Sequence, residues 1–282
     1  MAVRWAFCCG SWSPTRGEWI KAAAIVQSEE KERIGKFVFQ KDAKLAMAGR
    51  LLIRKALSDV FGLPYDEQRL RRTPKGRPYA EKSSGSRIAS FNVSHSGNFA
   101  VLAAESSSSE IPVGVDVMRV DNPGGRRGEP IGNFFHTMRR QFTRNEWETI
   151  RTPPNDLDQL VLFYRHWCLK ESYVKALGIG IGTSLQKIEF ATNPNRPTRG
   201  EKDVYREASV NVDEIEERDW TFEESWLDYN HCVAVALQNS DTHRQPSQFI
   251  HLTIDDLLLD YSMPHSYSVD ETYWECFKNK RT

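Results

Sequence analysis

A mixed α/β fold in two halves is what this sequence predicts, and three observations predict it. Two long stretches, residues 41–61 and 156–177, carry apolar side chains at helical spacing, and short apolar runs of strand type follow each. A polar break at residues 105–110, with four consecutive serines, separates the halves. The halves also echo one another faintly. Ile53-Arg-Lys-Ala-Leu57 resembles Tyr173-Val-Lys-Ala-Leu177, and Asn98-Phe-Ala-Val-Leu102 resembles Asn230-His-Cys-Val-Ala-Val235. Matches this short arise by chance as readily as by duplication, so the echo alone leaves both open.

In the first helix Leu45, Ala48, Leu52 and Ala56 recur on one face, and Gly62 with Leu63-Pro64 stops it. The basic stretch 69–77, followed by Pro78 and containing Pro74 and Gly76, reads as a loop. Residues 88–93 read as a strand, Ser94 to Asn98 as a turn, and 99–104 as a strand buried on both faces, giving a hairpin with His95 near its tip. Residues 113–117 alternate: Val113, Val115 and Val117 share one face, and Asp116 points to the other just before a loop at 121–130. Thr143 and Glu146 form a capping box for a short helix carrying Trp147 and Ile150, closed by Pro153-Pro154-Asn155. The second long helix, 156–177, is roughly 33 Å long, and the glycines at 178, 180 and 182 stop it. Residues 188–190, 207–212, 220–224 and 231–237 read as strands of one sheet. The last 40 or so residues are polar, with an apolar island at 257–259. The expected organisation is an N-terminal lobe of residues 1–105, a C-terminal lobe of residues 106–240 and a tail of residues 241–282.

Composition narrows the function. A chain of 282 residues that is 39% hydrophobic and 11% aromatic can build a real core and is too apolar for disorder. Lys+Arg and Asp+Glu are both 38, so the net charge is zero, which argues against a dedicated nucleic-acid binder. No apolar run reaches the ~18 residues of a membrane span, and the first 12 residues are too short and interrupted for a signal peptide. The five cysteines, Cys8, Cys9, Cys168, Cys232 and Cys276, are odd in number and lack Cys-x-x-Cys spacing, so they read as buried thiols in a reducing compartment. A soluble cytosolic protein is expected, without nucleic-acid or membrane partners.

Four constellations have the residue types of a reactive site. Arg69, Arg71, Arg72, Lys75 and Arg77 put five cations in nine residues, with Gly76 allowing close backbone approach. Guanidinium forks grip phosphate oxygens bidentately, which suits a polyphosphate; a solvated loop is the plain alternative. Asp116, at a strand end, can present a carboxylate to a metal or merely cap a turn, and Met118 occupies the place where a second acid would share its face. On the long helix Leu160, Tyr164, Trp167, Glu171 and Val174 form one stripe, with Lys175 one turn beyond Glu171. A carboxylate beside Trp167 is costly to desolvate unless a cation or metal pairs with it; a surface Glu–Lys pair is the alternative. His95, after Ser94, can orient a phosphate or be merely exposed.

Together these pieces resemble one family. Arg72-Thr-Pro-Lys-Gly-Arg-Pro78, Phe91-Asn-Val-Ser-His95, Val113-Gly-Val-Asp116 and Trp167-Cys-Leu-Lys-Glu-Ser-Tyr-Val-Lys175 occur in the order of 4′-phosphopantetheinyl transferases. The chain is similar to the large, two-lobed, surfactin-synthetase-activating type. Glu32-Arg-Ile-Gly-Lys-Phe-Val-Phe39 and Asp42-Ala-Lys-Leu-Ala-Met-Ala-Gly-Arg50 point to its animal branch. The resemblance spans residues 3–238. It implies two similar lobes related by pseudo-twofold symmetry, with the active site in the cleft between them. It also implies transfer of phosphopantetheine from coenzyme A to a serine of an apo carrier protein, releasing adenosine 3′,5′-bisphosphate.

By the same resemblance Asp116 and Glu171 would hold magnesium on the pyrophosphate, and Glu171 would also be the general base for the carrier serine. Lys175 would stabilise the transferring phosphate. Arg33, the run Arg72, Thr73, Pro74, Lys75, Gly76 and Arg77, and the run Asn92, Val93, Ser94 and His95 would hold coenzyme A together with Glu171 and Lys175, with His95 and nearby cations at its 3′-phosphate. Many bacterial members carry an acid where this chain has Met118, so a water would replace that ligand. The implied carriers are fatty-acid synthase, a mitochondrial acyl carrier and aminoadipate-semialdehyde dehydrogenase, served by a monomer.

Overall fold

Local signals shape the first segment of the chain before any distant contact is made. The computed structural model describes residues 2–80, 89–106, 111–122, 130–180, 184–238, 245–258 and 270–282. The chain divides into two units, Met1–Glu110 with Phe249–Thr282, and Ile111–Gln248. The first opens with strand β1 (Ala2–Cys8). Helix α1 (Arg16–Ile25) starts at a capping box in which the Thr15 hydroxyl accepts from Glu18 N and the Glu18 carboxylate accepts from Thr15 N. Helix α2 (Ser28–Gly35) has Glu29 and Glu30 in its first turn, where the helix dipole favours them. Helix α3 (Gln40–Asp59) is the first long helix; Leu45, Ala48, Leu52 and Ala56 are all buried, as their spacing requires.

The basic stretch is a hairpin rather than a loop. Strands β2 (Leu70–Arg72) and β3 (Pro78–Ala80) pair antiparallel, and Gly76, at φ +84°, makes the turn between them. Strands β4 (Ala89–Ser96) and β5 (Phe99–Ser106) form the expected hairpin with a tighter turn. Gly97 sits at φ +57°, so Gly97 and Asn98 suffice to reverse the chain. Ser94 and His95 therefore lie in the strand, opposite Val101 and Ala100, and not in the turn. Ile88 and residues 107–110 of the expected break lie outside the described residues.

The second unit starts with strand β6 (Val113–Arg119), so Asp116 is mid-strand, not at a strand end. Its odd-numbered face carries the buried valines and its even-numbered face carries Gly114, Asp116 and Met118. Most of the loop expected at 121–130 lies outside the described residues. Helix α4 (Ile131–Thr137) precedes helix α5 (Arg144–Ile150), which starts at the predicted Thr143–Glu146 capping box. Helix α6 (Asp156–Leu177) has the bounds the sequence predicts: Asn155 caps its start, accepting from Asp158 N at 2.9 Å, and Gly178 at φ +68° ends it. Residues 181 and 182 of that stop signal lie outside the described residues.

The remaining strands form two sheets, not one. Strands β7 (Ile188–Ala191), β8 (Ser209–Val212) and β9 (Ile215–Glu216) form a small meander, because Asp213 and Glu214 at φ +48° and +67° turn β8 straight back into β9. Strands β10 (Trp220–Asp228) and β11 (His231–Gln238) form a hairpin, and β6 takes the other edge of β11.

The C-terminal residues then return to the first unit. Strand β12 (Ile250–Leu252) pairs parallel with β1, giving the sheet order β12-β1-β5-β4. Helix α7 (Ile254–Leu258) puts Leu257 and Leu258 into the first core; residue 259 of the apolar island lies outside the described residues. Helix α8 (Glu271–Lys278) stacks Phe277 on Trp19 with ring centroids 3.8 Å apart. The segment also braces α2: Lys280 Nζ donates to Gly35 O at 2.8 Å, and the Tyr273 hydroxyl donates to Lys31 O at 3.1 Å.

Taken one at a time, the two units repeat a topology. In the first, β1, α3, β4 and β5 follow in sequence and the strands lie β1-β5-β4; in the second, β6, α6, β10 and β11 follow and lie β6-β11-β10. The echoing segments noted in the sequence fall at matching places, α3 with α6 and β5 with β11. Each unit has its own apolar core. Three of the five thiols are buried, Cys9, Cys168 and Cys232, whereas Cys8 is half-buried and Cys276 exposed. Among the described residues no helix is long and apolar enough to cross a membrane.

Candidate active site

Gly114 decides how closely β6 and α6 approach. A Cβ built there would lie 1.9 Å from Ser172 O and 2.6 Å from Ala176 N, so no other residue fits without moving the helix off the strand. Two residues on and on the same face, Asp116 is thereby held against α6. Lys175 Nζ donates to Asp116 Oδ1 at 2.6 Å and to Val115 O at 3.3 Å. Glu171, one helical turn before Lys175, is half-buried, as are Trp167 and Lys175, while Leu160, Tyr164 and Val174 of the predicted stripe are buried. The stripe is thus an accessible edge at Trp167, Glu171 and Lys175 on a helix otherwise largely enclosed.

Burial and the nearby Asp116 carboxylate push the Glu171 carboxyl above its ordinary pKa, with Lys175 opposing them. A carboxylate so placed is a better proton acceptor than one in water. Among the described residues no group of three or more His, Cys, Asp or Glu side chains gathers. Magnesium needs no such cage, because one or two carboxylates with waters and substrate phosphates complete its shell. Two carboxylates that repel one another offer the oxygen donors such a cation takes, so the donor set fits it.

A buried ion pair ties this helix to α5. Lys170 Nζ lies 2.7 Å from Glu146 Oε2, both side chains are fully enclosed, and Lys170 also donates to Leu185 O and Ile188 O. Glu146, the capping-box residue of α5, accepts from Phe190 N as well. Burial dominates both titrations, raising Glu146 and lowering Lys170 from their ordinary values, with each partner opposing it. Lys170→Met leaves a buried carboxylate without its cation and is expected to destabilise the protein by about 3–5 kcal/mol in urea unfolding. Glu146→Gln/Lys170→Met should cost less than Lys170→Met alone. A double variant less stable than the single one would show that the pair's ionic character is not the source of the loss.

The remaining candidates lie in the first unit, where the structure divides them. Arg72 and Arg33 converge on the carboxylate of Glu30, at 2.8 and 2.9 Å. Thr73 builds the turn, its N donating to Arg77 O at 2.9 Å and its hydroxyl accepting from Arg77 N at 3.1 Å, and Pro74, Lys75 and Gly76 are exposed at its tip. Arg69 turns away, donating to Asp66 O and Gln68 O. On β4 the side chains alternate: Asn92 and Ser94 are buried on one face, Val93 packs toward Gly49 of α3, and His95 is exposed.

Sequence reading missed Glu30 and Arg50, which complete the Arg33–Arg72 cluster. The available signal was a cation, Arg50, among Met47, Leu51 and Ile53 in the middle of an apolar helix.

Comparison with known proteins follows the same division. Residues 10–107 match the family described as 4′-phosphopantetheinyl transferase, N-terminal, and residues 112–236 match the 4′-phosphopantetheinyl transferase superfamily. The chain is 46% identical over 289 residues to the L-aminoadipate-semialdehyde dehydrogenase-phosphopantetheinyl transferase of Homo sapiens, covering 98% of this chain and 90% of that one. The Xenopus laevis protein of the same name is 46% identical over 291 residues, with 99% and 93% covered. A phosphopantetheinyl transferase of Thraustochytrium sp. is 36% identical over 239 residues, with 83% and 78% covered.

Proposed function

The chain belongs to the 4′-phosphopantetheinyl transferase superfamily, and from that premise we propose that Asp116, Glu171 and Lys175 perform its reaction. The protein transfers 4′-phosphopantetheine from coenzyme A to a serine of an apo carrier protein. The serine oxygen forms a bond to the pantetheine-side phosphorus of the pyrophosphate. The phosphorus–oxygen bond to the other phosphate breaks, and adenosine 3′,5′-bisphosphate leaves. The observation that carries the assignment is the meeting of Asp116, Glu171 and Lys175 where β6 packs on α6.

Family membership implies magnesium as well as coenzyme A. Asp116 and Glu171 would hold that ion, which when bound neutralises charge on the pyrophosphate and its leaving group. Glu171 takes the serine proton, its basicity raised by burial and by Asp116. Lys175 places an ammonium beside the transferring phosphate. Arg33, Arg72 to Arg77 and Asn92 to His95 hold coenzyme A, with His95 at its 3′-phosphate end.

The two units are similar lobes; their repeated strand order, β1-β5-β4 and β6-β11-β10, supports this. Carrier domains of aminoadipate-semialdehyde dehydrogenase, fatty-acid synthase and a mitochondrial acyl carrier are the proposed partners, the first supported by the names of the animal relatives. The working enzyme is a cytosolic monomer.

Incubation with magnesium, coenzyme A and an apo carrier, followed by mass spectrometry of the carrier, tests the activity. The carrier should gain one phosphopantetheine. No gain with any carrier class would overturn the reading.

The basic hairpin gives a separate expectation. Neutralising Arg72, Lys75 or Arg77 removes one charge-assisted phosphate contact, which costs on the order of 1.5–3 kcal/mol. Binding of coenzyme A should weaken more than binding of dephospho-coenzyme A or of the carrier. Equal losses for all three ligands would assign the hairpin to folding or to the partner instead.

A further inference from the structure

Glu30 is a buried carboxylate in the middle of a cluster of guanidinium groups. It is 9% exposed, in the first turn of α2. Its Oε2 accepts from Arg33 Nε at 2.9 Å. Its Oε1 accepts from Arg72 Nε at 2.8 Å, with Arg72 Nη2 at 2.7 Å. Arg50 of α3 stands behind, its Nη1 3.7 Å from the same oxygen.

Arg50 is 6% exposed, and its Nε and Nη1 have no hydrogen-bond partner among the described residues. Burial brings its pKa down to about 10 against the pull of Glu30. Burial alone would raise the Glu30 carboxyl, but Arg50, Arg33 and Arg72 outweigh it and hold it low, so Glu30 is ionised at neutral pH.

One anion among three cations leaves the cluster at +2. The side chains of Arg33 and Arg72 remain 40% and 35% exposed, so both can still meet a ligand from solvent. If this cluster served only to attract phosphate, a carboxylate at its centre would be a handicap, since it cancels a third of the attraction. Its geometry indicates a different task. Arg33 comes from a helix and Arg72 from a hairpin, and both are long side chains that would otherwise repel one another and sample many rotamers. A single carboxylate that takes the Nε edge of both fixes their planes together before any ligand arrives.

Resting on the reading of Arg33 and Arg72 as coenzyme A ligands, we propose that Glu30 is the positioning residue that pre-orders these two guanidinium groups, with Arg50 as its buried counter-charge. Glu30 itself touches no substrate. The α2 helix that carries it is braced by the C-terminal segment, whose Lys31–Asp270 pair at 2.6 Å ties α2 to the start of α8. Pre-ordering lowers the entropy lost when coenzyme A is gripped, and so acts on its binding and not on the chemical step.

The test is steady-state kinetics with saturating magnesium and apo carrier, reading KM and kcat for coenzyme A and for dephospho-coenzyme A. Glu30→Gln should raise KM for coenzyme A by about tenfold or more, on the scale of one charge-assisted contact, with kcat nearly unchanged and dephospho-coenzyme A much less affected. Charge alone predicts the opposite sign, because the substitution makes the cluster more positive. Glu30→Asp keeps the charge on a shorter arm and should recover part of the loss.

Glu30→Gln leaves Arg50 buried beside no anion and can unfold the protein, so Glu30→Gln/Arg50→Met is measured with it. The double variant should fold and show the same rise in KM. An unchanged or lower KM in both variants, while Arg72→Ala raises it, overturns the role of Glu30 alone. An unchanged KM in Arg72→Ala overturns the reading beneath it as well.

Discussion

Glu171→Gln is expected to transfer phosphopantetheine ~10²–10⁴-fold more slowly than the wild-type protein with coenzyme A still bound. The amide keeps the side-chain size and one carbonyl oxygen, but it cannot accept the serine proton. It also ligates a cation more weakly, so two losses are superimposed and must be separated. Single-turnover transfer to an apo carrier across a magnesium titration separates them. If the rate recovers at saturating magnesium, only ligation was damaged and the base lies elsewhere. A deficit that persists with coenzyme A and carrier both bound supports the dual role. Wild-type rates at every magnesium concentration would refute the site.

Asp116→Ala should abolish transfer without unfolding the chain. Asp116 is buried, and its removal takes away one of two carboxylates and the hydrogen bond from Lys175. Lys175 is not stranded by this, because its side chain is 28% exposed and Val115 O still accepts from it. The loss therefore falls on charge arrangement and not on a desolvated ammonium. With Asp116 gone, one of the two influences raising Glu171 disappears while the opposing Lys175 remains, so the Glu171 carboxyl should titrate lower than in the parent protein. NMR titration of that carboxyl in magnesium-free protein reads this shift independently of activity. Magnesium chelation should silence the wild-type protein in the same way. Full transfer in excess chelator would overturn the metal assignment.

Much of the second unit was legible from residues close together in the chain. Asn155 capping α6, Gly178 ending it and the Thr143–Glu146 box all act within a few residues of themselves. The hairpin at β4 and β5 is legible for the same reason, but its turn is tighter than the run from Ser94 to Asn98 suggests. Ser94 and His95 have turn-forming neighbours, yet their backbone groups join the ladder to β5 because Gly97 alone provides the left-handed residue needed. Residues 69–77 carry Pro74 and Gly76, which read as a loop; the short pairing of Leu70 with Ala80 depends on a strand too brief to show periodicity.

Glu146 shows a subtler limit. The sequence announces it as a cap, and it is one, but its other contacts are with Lys170 and Phe190, 24 and 44 residues away. The cap chemistry hides the buried pair.

Near-neighbour chemistry settles the local choices: where α3 and α6 begin and end, that residues 113–117 alternate, and that Glu171 and Lys175 share one edge of a helix. These follow from hydrogen bonds four residues apart, from rotamer and cap preferences, and from glycine's access to positive φ. Long-range packing settles which edges meet. It set Asp116 against Lys175, 59 residues on, through a contact that Gly114 alone admits. It drew the C-terminal residues onto β1 and α2, and it gathered Glu30, Arg33, Arg50 and Arg72 from three elements. Periodicity is blind to such meetings, because burying a charge is costly or tolerable according to a partner that the local sequence does not contain.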